Sequence, residues 1–208
     1  MRPALELREL RKAYGPLAVL HGVNLSVPTG KLVFIIGPSG SGKSTLLQAI
    51  AGYSWLSEGT LTANDSTGQL IPDDKLFEQV AIAAPYLDVV EEMTLLEFLS
   101  FQEKFHPFQA HTDLESICTK LGLHAARHKQ IRYFSSGMKQ RVKLGQALFA
   151  AKPIVLLDEP CTNLDAEGIE LYHRLLAELT TNKLLVICSN DEQEIRTCNE
   201  RIDIRNYK

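Results

Sequence analysis

The 208-residue sequence predicts an α/β fold with a parallel core sheet, an N-terminal antiparallel β subdomain and a helical insert. Three observations predict it. The strand-length apolar runs Leu32 to Ile36, Val80 to Ala84, Ile154 to Leu157 and Leu184 to Cys188 are interleaved with segments of helical period, as in sheets whose strands are joined by crossover helices. Leu5 to Arg11 and Val23 to Val27 instead alternate apolar and polar residues, the mark of half-buried antiparallel strands. From Tyr86 to Tyr133 strand patterns give way to helix-start signals.

Taken in order, the two alternating stretches pair as an edge sheet, and Pro28-Thr29-Gly30 turns the chain into a buried strand from Lys31 to Ile36. A helix is predicted from Lys43, stopping at Gly52, a residue type that terminates helices because it tolerates the left-handed conformation. Gly59 to Ala63 and Gln69 to Ile71 flank a polar turn and form a hairpin, and Gln79 to Ala83 is a short strand ended by Pro85. In the insert, Thr94 with Glu97 and Thr112 with Glu115 both fit the capping box, where hydroxyl and carboxylate each satisfy an orphan backbone N–H. A helix from Ser136 to Ala150, a strand from Ile154 to Leu157, a helix with Ile169, Tyr172, Leu175 and Leu179 on one face, and a strand from Leu184 to Cys188 complete the core. The chain reads as one domain over 1–208, with a helical subdomain at about 86–133.

Twenty-two basic residues stand against 25 acidic ones, a net charge of −3, so the totals carry no nucleic-acid footprint. No apolar run approaches the roughly 20 residues that span a bilayer. The N-terminal residues lack a secretory h-region, and a cytoplasmic protein is expected. Cys118, Cys161, Cys188 and Cys198 form no Cys-x-x-Cys pair and read as reduced thiols. The six histidines show no metal-site spacing.

Two motifs carry chemistry. Gly37-Pro38-Ser39-Gly40-Ser41-Gly42-Lys43-Ser44-Thr45 matches G-x-x-x-x-G-K-[ST] between a strand and a helix, the context a phosphate-binding loop requires. Its glycines let successive N–H groups curve around an anion, the helix N-terminus adds a positive dipole end, and Lys43 supplies a mobile charge. Ser44 would ligate Mg²⁺. The second motif, Ile154 to Pro160, puts Asp158 and Glu159 where a buried strand ends, the edge at which open α/β sheets bind ligands. Asp158 can hold Mg²⁺, and Glu159 is placed to orient or deprotonate water. An ordinary charged loop is the plain alternative for this second motif taken alone.

Phe134-Ser135-Ser136-Gly137-Met138-Lys139-Gln140-Arg141 opens a helix that leads into the acidic strand, and here the whole chain resembles the ABC ATPases, P-loop proteins whose signature L-S-G-G-Q begins the same helix. The resemblance implies that Ser135, Ser136, Gly137 and Met138 of one copy meet the γ-phosphate of ATP bound by another. It implies that Tyr14 stacks on adenine, although a lone tyrosine also serves as a packing or surface residue. Asn163-Leu164-Asp165 is similar to the D-loop, where Asp165 would align two composite sites; a helix N-cap role for Asp165 is equally open and compatible. The partners implied are a second copy, forming an ATP sandwich, and a separate transmembrane permease, with the chain peripheral on the cytoplasmic face of the membrane and no nucleic acid involved. The insert's Phe98, Leu99, Phe101, Phe105 and Phe108 either pack internally or meet that permease.

Two family elements depart from pattern. The glutamine expected after the strand ending near Ala84 falls at Pro85 or Tyr86, and the histidine expected after the last core strand is Asn190, which can donate a hydrogen bond but carries no charge. Slow hydrolysis with retained ATP binding is therefore expected. The primary expectation is a transporter ATPase; the alternative is an ATP-dependent assembly switch that hydrolyses little. Compact subunits of this kind resemble exporter components, including those of the haem-exporter type, and ending at Lys208 argues against an added regulatory domain.

Overall fold

The computed structural model describes residues 3–28, 30–65, 67–191, 194 and 200–207. The chain divides into two compact units, one of residues 1–82, 153–159 and 182–208, the other of residues 83–152 and 160–181.

The first unit carries both sheets. Strands β1 (Pro3–Tyr14), β2 (Leu17–Pro28), β4 (Glu58–Asn64) and β5 (Leu70–Ile71) form an antiparallel sheet in the order β2-β1-β4-β5. Leu5, Leu7, Leu10, Val23, Leu25 and Val27 are its buried face. Leu7 and Leu10 are three apart, so strict alternation would turn Leu10 outward. Glu9 absorbs the extra residue as a bulge with φ 46°, and its N–H donates to Asn24 Oδ1 at 3.0 Å while Asn24 Nδ2 donates to Glu9 Oε1 at 2.6 Å. The bulge returns Leu10 to the core.

The core sheet runs β6-β7-β8-β3-β9, with β3 at Leu32–Ile36, β6 at Val80–Ala83, β7 at Ile154–Asp158, β8 at Leu184–Ser189 and β9 at Glu200–Asp203. The β7–β8, β8–β3 and β3–β9 pairs are parallel. Val33, Phe34, Ile35, Val155, Leu156, Leu157, Val186 and Ile187 are wholly buried, which is why these strands read as unbroken apolar runs. The helix α1 (Lys43–Ile50) leaves the β3 edge and contacts β7 and β8. The α/β class, the parallel core and the N-terminal antiparallel sheet all follow the sequence expectation.

The second unit holds α2 (Leu95–Phe105), α3 (Leu114–Lys120), α4 (Ser136–Leu148) and α5 (Ala166–Leu179). Helix α2 packs on α3 and α4, and α4 on α5. Thr94 and Glu97 form the expected capping box. Among the described residues no helix is long and apolar enough to cross a membrane.

Several expectations are corrected. The second capping box does not form: Asp113, one residue beyond Thr112, is the N-cap and accepts from Ser116 N at 2.8 Å, while Glu115 pairs with Arg127 and His124. A carboxylate next in line competes for the same orphan N–H. The buried stripe of α5 is Gly168, Leu171, Tyr172, Leu175 and Leu176, leaving Ile169 and Leu179 only half-buried. The fifth strand of the parallel sheet, β9, was not expected, because Glu200-Arg201-Ile202-Asp203 offers a single apolar residue. The structure buries Phe98, Leu99 and Phe108 but leaves Phe101 and Phe105 on the surface, their rings 4.9 Å apart.

Candidate functional site

The loop from Gly37 to Gly42 takes its shape from its glycines. Gly40 and Gly42 have φ 71° and 98°, a region that side chains disfavour. Gly37 leaves no room for a Cβ, which would stand 2.5 Å from Ile204 Cγ2 and 2.8 Å from Ser41 Oγ. Gly42 is the N-cap of α1 and offers no side chain to cap it, so the first-turn N–H groups remain for another acceptor. The residues from Ser39 to Thr45, with Val19 and Glu159, line a cavity of about 170 Å³. Val19 and Leu20 of β2 press on Gly42: a Cβ there would meet Leu20 Cδ2 at 3.0 Å and Val19 Cγ1 at 3.2 Å.

Lys43 is 5% exposed, and its ammonium donates to Gly37 O at 2.6 Å and Pro38 O at 3.1 Å. Loop carbonyls thus hold the charge on the lining of this cavity. Among the described residues the buried Ser41 hydroxyl finds no hydrogen-bond partner. Asp158 ends β7 with 2% exposure. Burial raises its carboxyl above the ordinary range, against the lowering effect of a hydrogen bond from the Ser44 hydroxyl; Glu159 raises it further and Lys43 lowers it. Glu159 turns off the strand at φ 45°, with its N–H fixed to Cys188 O at 2.8 Å. That left-handed turn sends its half-buried side chain to the cavity wall.

These oxygens suit a hard divalent cation. Ser44 and Asp158 already touch, and no group of three or more His, Cys, Asp or Glu side chains could hold a metal among the described residues. A cation here would be shared between two protein oxygens and a ligand's phosphates, the usual arrangement for Mg²⁺.

The remaining first-unit candidates lie apart from that cavity wall. Tyr14 sits at the tip of the β1–β2 hairpin, 50% exposed. Asn190 follows β8, exposed, and is not part of the lining.

In the second unit, Ser135, Ser136, Gly137, Met138, Asn163 and Asp165 line a second cavity of about 480 Å³. Ser135 caps α4, its hydroxyl accepting from Met138 N at 3.2 Å. Gly137 has no space for a side chain, because a Cβ would lie 2.9 Å from Asn163 O. Asp165 caps α5 by accepting from Gly168 N at 2.8 Å and pairs with Arg141 at 3.3 Å; these contacts, the Gly168 N–H first, hold its carboxyl below the usual range. The N-cap role is therefore real, and the signature and Asp165 line one cavity.

Sequence reasoning missed three contributors. Val19 carries no chemical signal. Arg141 and Gln140, whose amide donates to Pro160 O at 2.7 Å, stand within the signature segment but were assigned no role. Pro85 is also engaged, its carbonyl accepting from Lys143 Nζ at 3.3 Å.

Comparisons with known proteins bear on the family. The family model described as ABC transporter matches residues 20–162. The sn-glycerol-3-phosphate import ATP-binding protein of Paraburkholderia xenovorans is 34% identical over 98% of this chain and 57% of its own length. The lactose transport ATP-binding protein of Rhizobium radiobacter is 33% identical over 95% and 55%. The chain thus spans a little more than half the length of these curated relatives. Among solved structures, a putative ABC transporter ATP-binding protein from Pyrococcus furiosus superposes with a TM-score of 0.82 at 21% identity, covering 98% of both chains. A bacterial Atm1-family ABC exporter with ATP bound gives 0.81 at 20% identity, over 98% of this chain and 38% of that one. A phosphate loop, an acidic strand end and a serine-capped signature helix, set in this fold and matched by this model, place the chain in the ABC transporter family.

Proposed function

We propose that this chain is the ATP-binding and ATP-hydrolysing subunit of an ABC transporter, driving a separate membrane permease by ATP-dependent closure of a homodimer on the cytoplasmic face. The observation that carries this reading is the pairing of Ser44 with the buried carboxylate of Asp158, where Ser44, Lys43 and Glu159 line one cavity with the uncapped start of α1. Residues 1–208 act as one ATPase module, in which the helical part at about 86–133 faces the permease.

In this mechanism the loop amides and the first turn of α1 bind the phosphates, and Lys43 exchanges the carbonyls of Gly37 and Pro38 for the outer phosphate oxygens. Ser44 and Asp158 would hold Mg²⁺, whose charge would offset that of the phosphates. Glu159, pinned at its own N–H, orients the attacking water and accepts its proton. Ser135 and the amides opening α4 offer a second copy's γ-phosphate the donors it lacks. Tyr14 stacks on the base.

Hydrolysis is slow in this reading. Asn190 supplies at most a neutral donor and lies off the cavity wall, and one preorganised donor is worth about 10² to 10³ in rate. The same feature favours the second reading, an ATP-dependent assembly switch that hydrolyses little. A purified-protein ATPase assay beside calorimetric ATP binding tests both. Measurable turnover abolished by Glu159→Gln, with binding retained, supports the ATPase; binding with no Glu159-dependent turnover supports the switch. Unchanged ATP affinity in Lys43→Ala defeats either.

A further inference from the structure

Lys12 stands two residues before Tyr14, and its ammonium lies over the Tyr14 ring, 4.7 Å from the centroid. The same Nζ donates to Trp55 O at 2.7 Å. Two further bonds lace this end of β1 to the segment after α1: Ala13 N donates to Ser57 Oγ at 3.0 Å, and Ser57 N to Arg11 O at 3.0 Å. That segment itself continues from α1, with Tyr53 N bonded to Gln48 O at 2.9 Å. Lys12 also faces Leu20 across the hairpin, and Leu20 presses on Gly42 of the phosphate loop. The half-exposed Tyr14 ring is therefore held through Lys12 at a fixed place relative to both ends of α1.

We propose that Lys12 is a positioning residue for nucleobase binding: it covers one face of Tyr14, so that a purine stacks on the other. The inference rests on the reading that this site binds ATP. A cation on one face fixes the ring against rotation and leaves a single platform, which lowers the ordering cost of stacking. The phosphates lie outside this arrangement, since Lys12 contacts a ring and a carbonyl and is not part of the phosphate-loop cavity.

The experiment compares ATP with inorganic tripolyphosphate, which presents the phosphate chain without the base, by calorimetric titration of the full chain. The parent should prefer ATP. Lys12→Met should weaken ATP about three- to fivefold and leave tripolyphosphate unchanged, and Lys12→Gln, which keeps a donor for Trp55 O, should behave alike. Lys12→Arg should restore the parent affinity. The inference fails if Lys12→Met and Lys12→Gln keep the parent's preference for ATP, if both ligands weaken equally, or if ATP binds more tightly without the ammonium. A parent that binds ATP no better than tripolyphosphate would sink the base-stacking reading itself, and this inference with it.

Discussion

Lys183 enters β8 with only 8% of its surface exposed, and burial lowers its ammonium from the ordinary 10.5 to about 8. Below pH 8 the folded chain carries this charge against the opposing effect of burial. Between about 8 and 10.5 the unfolded chain holds more protons than the folded one, so this residue makes stability rise with pH across that window. Lys183→Met should therefore melt higher than the parent at pH 7, by on the order of 1 to 3 kcal/mol. The difference should shrink to nothing by about pH 10.5, as read by thermal melts of both proteins along a pH series. No motif flagged this residue, because burial of a lysine depends on what the fold stacks around it. Lys43 and Asp158 were legible for the opposite reason: their spacing to glycines and to an apolar run is itself the chemistry.

Among the elements, the N-terminal hairpin was legible by alternation but not in length, since the bulge at Glu9 interrupts the period on which such a reading depends. The bulge is also a weak point. A Cβ at Gly59 would stand 2.4 Å from Glu9 O, with Gly59 at φ 87°. Gly59→Ala should cost about 2 to 4 kcal/mol, measured by urea unfolding. For α2, Thr94→Ala removes a hydroxyl that accepts from Glu97 N and should cost about 1 kcal/mol. Thr112→Ala should cost almost nothing, because Asp113 is the residue that caps α3. A loss at Thr112 equal to that at Thr94 would contradict this assignment. β9 stayed hidden because its partnership with β3 is made by backbone bonds, which a short polar sequence does not announce.

For the molecule as a whole, the proposed mechanism requires two copies, because in it the signature of one copy meets the phosphates held by the other. Glu159→Gln with saturating ATP and Mg²⁺ should shift the chain from monomer to dimer in light scattering, and Ser135→Ala should reduce that shift while leaving ATP binding by the monomer unchanged. A Glu159→Gln protein that stays monomeric would remove the sandwich from the account. The phosphate loop, the acidic strand end and the signature were readable because each packs its chemistry into a few consecutive residues. Arg141 on Asp165 was not, because those side chains meet only through the packing of α4 and α5.

The carbonyl of Asn163 fills the spot where residue 137 would need a side chain. Two distant stretches of sequence consequently share a single seam, and neither turn can be rebuilt while its neighbour keeps its form. In a library randomised at 137 and 163 to 165, working clones with a bulkier residue 137 should carry compensating changes in the other turn. Deep sequencing of survivors would show the two turns varying as a pair.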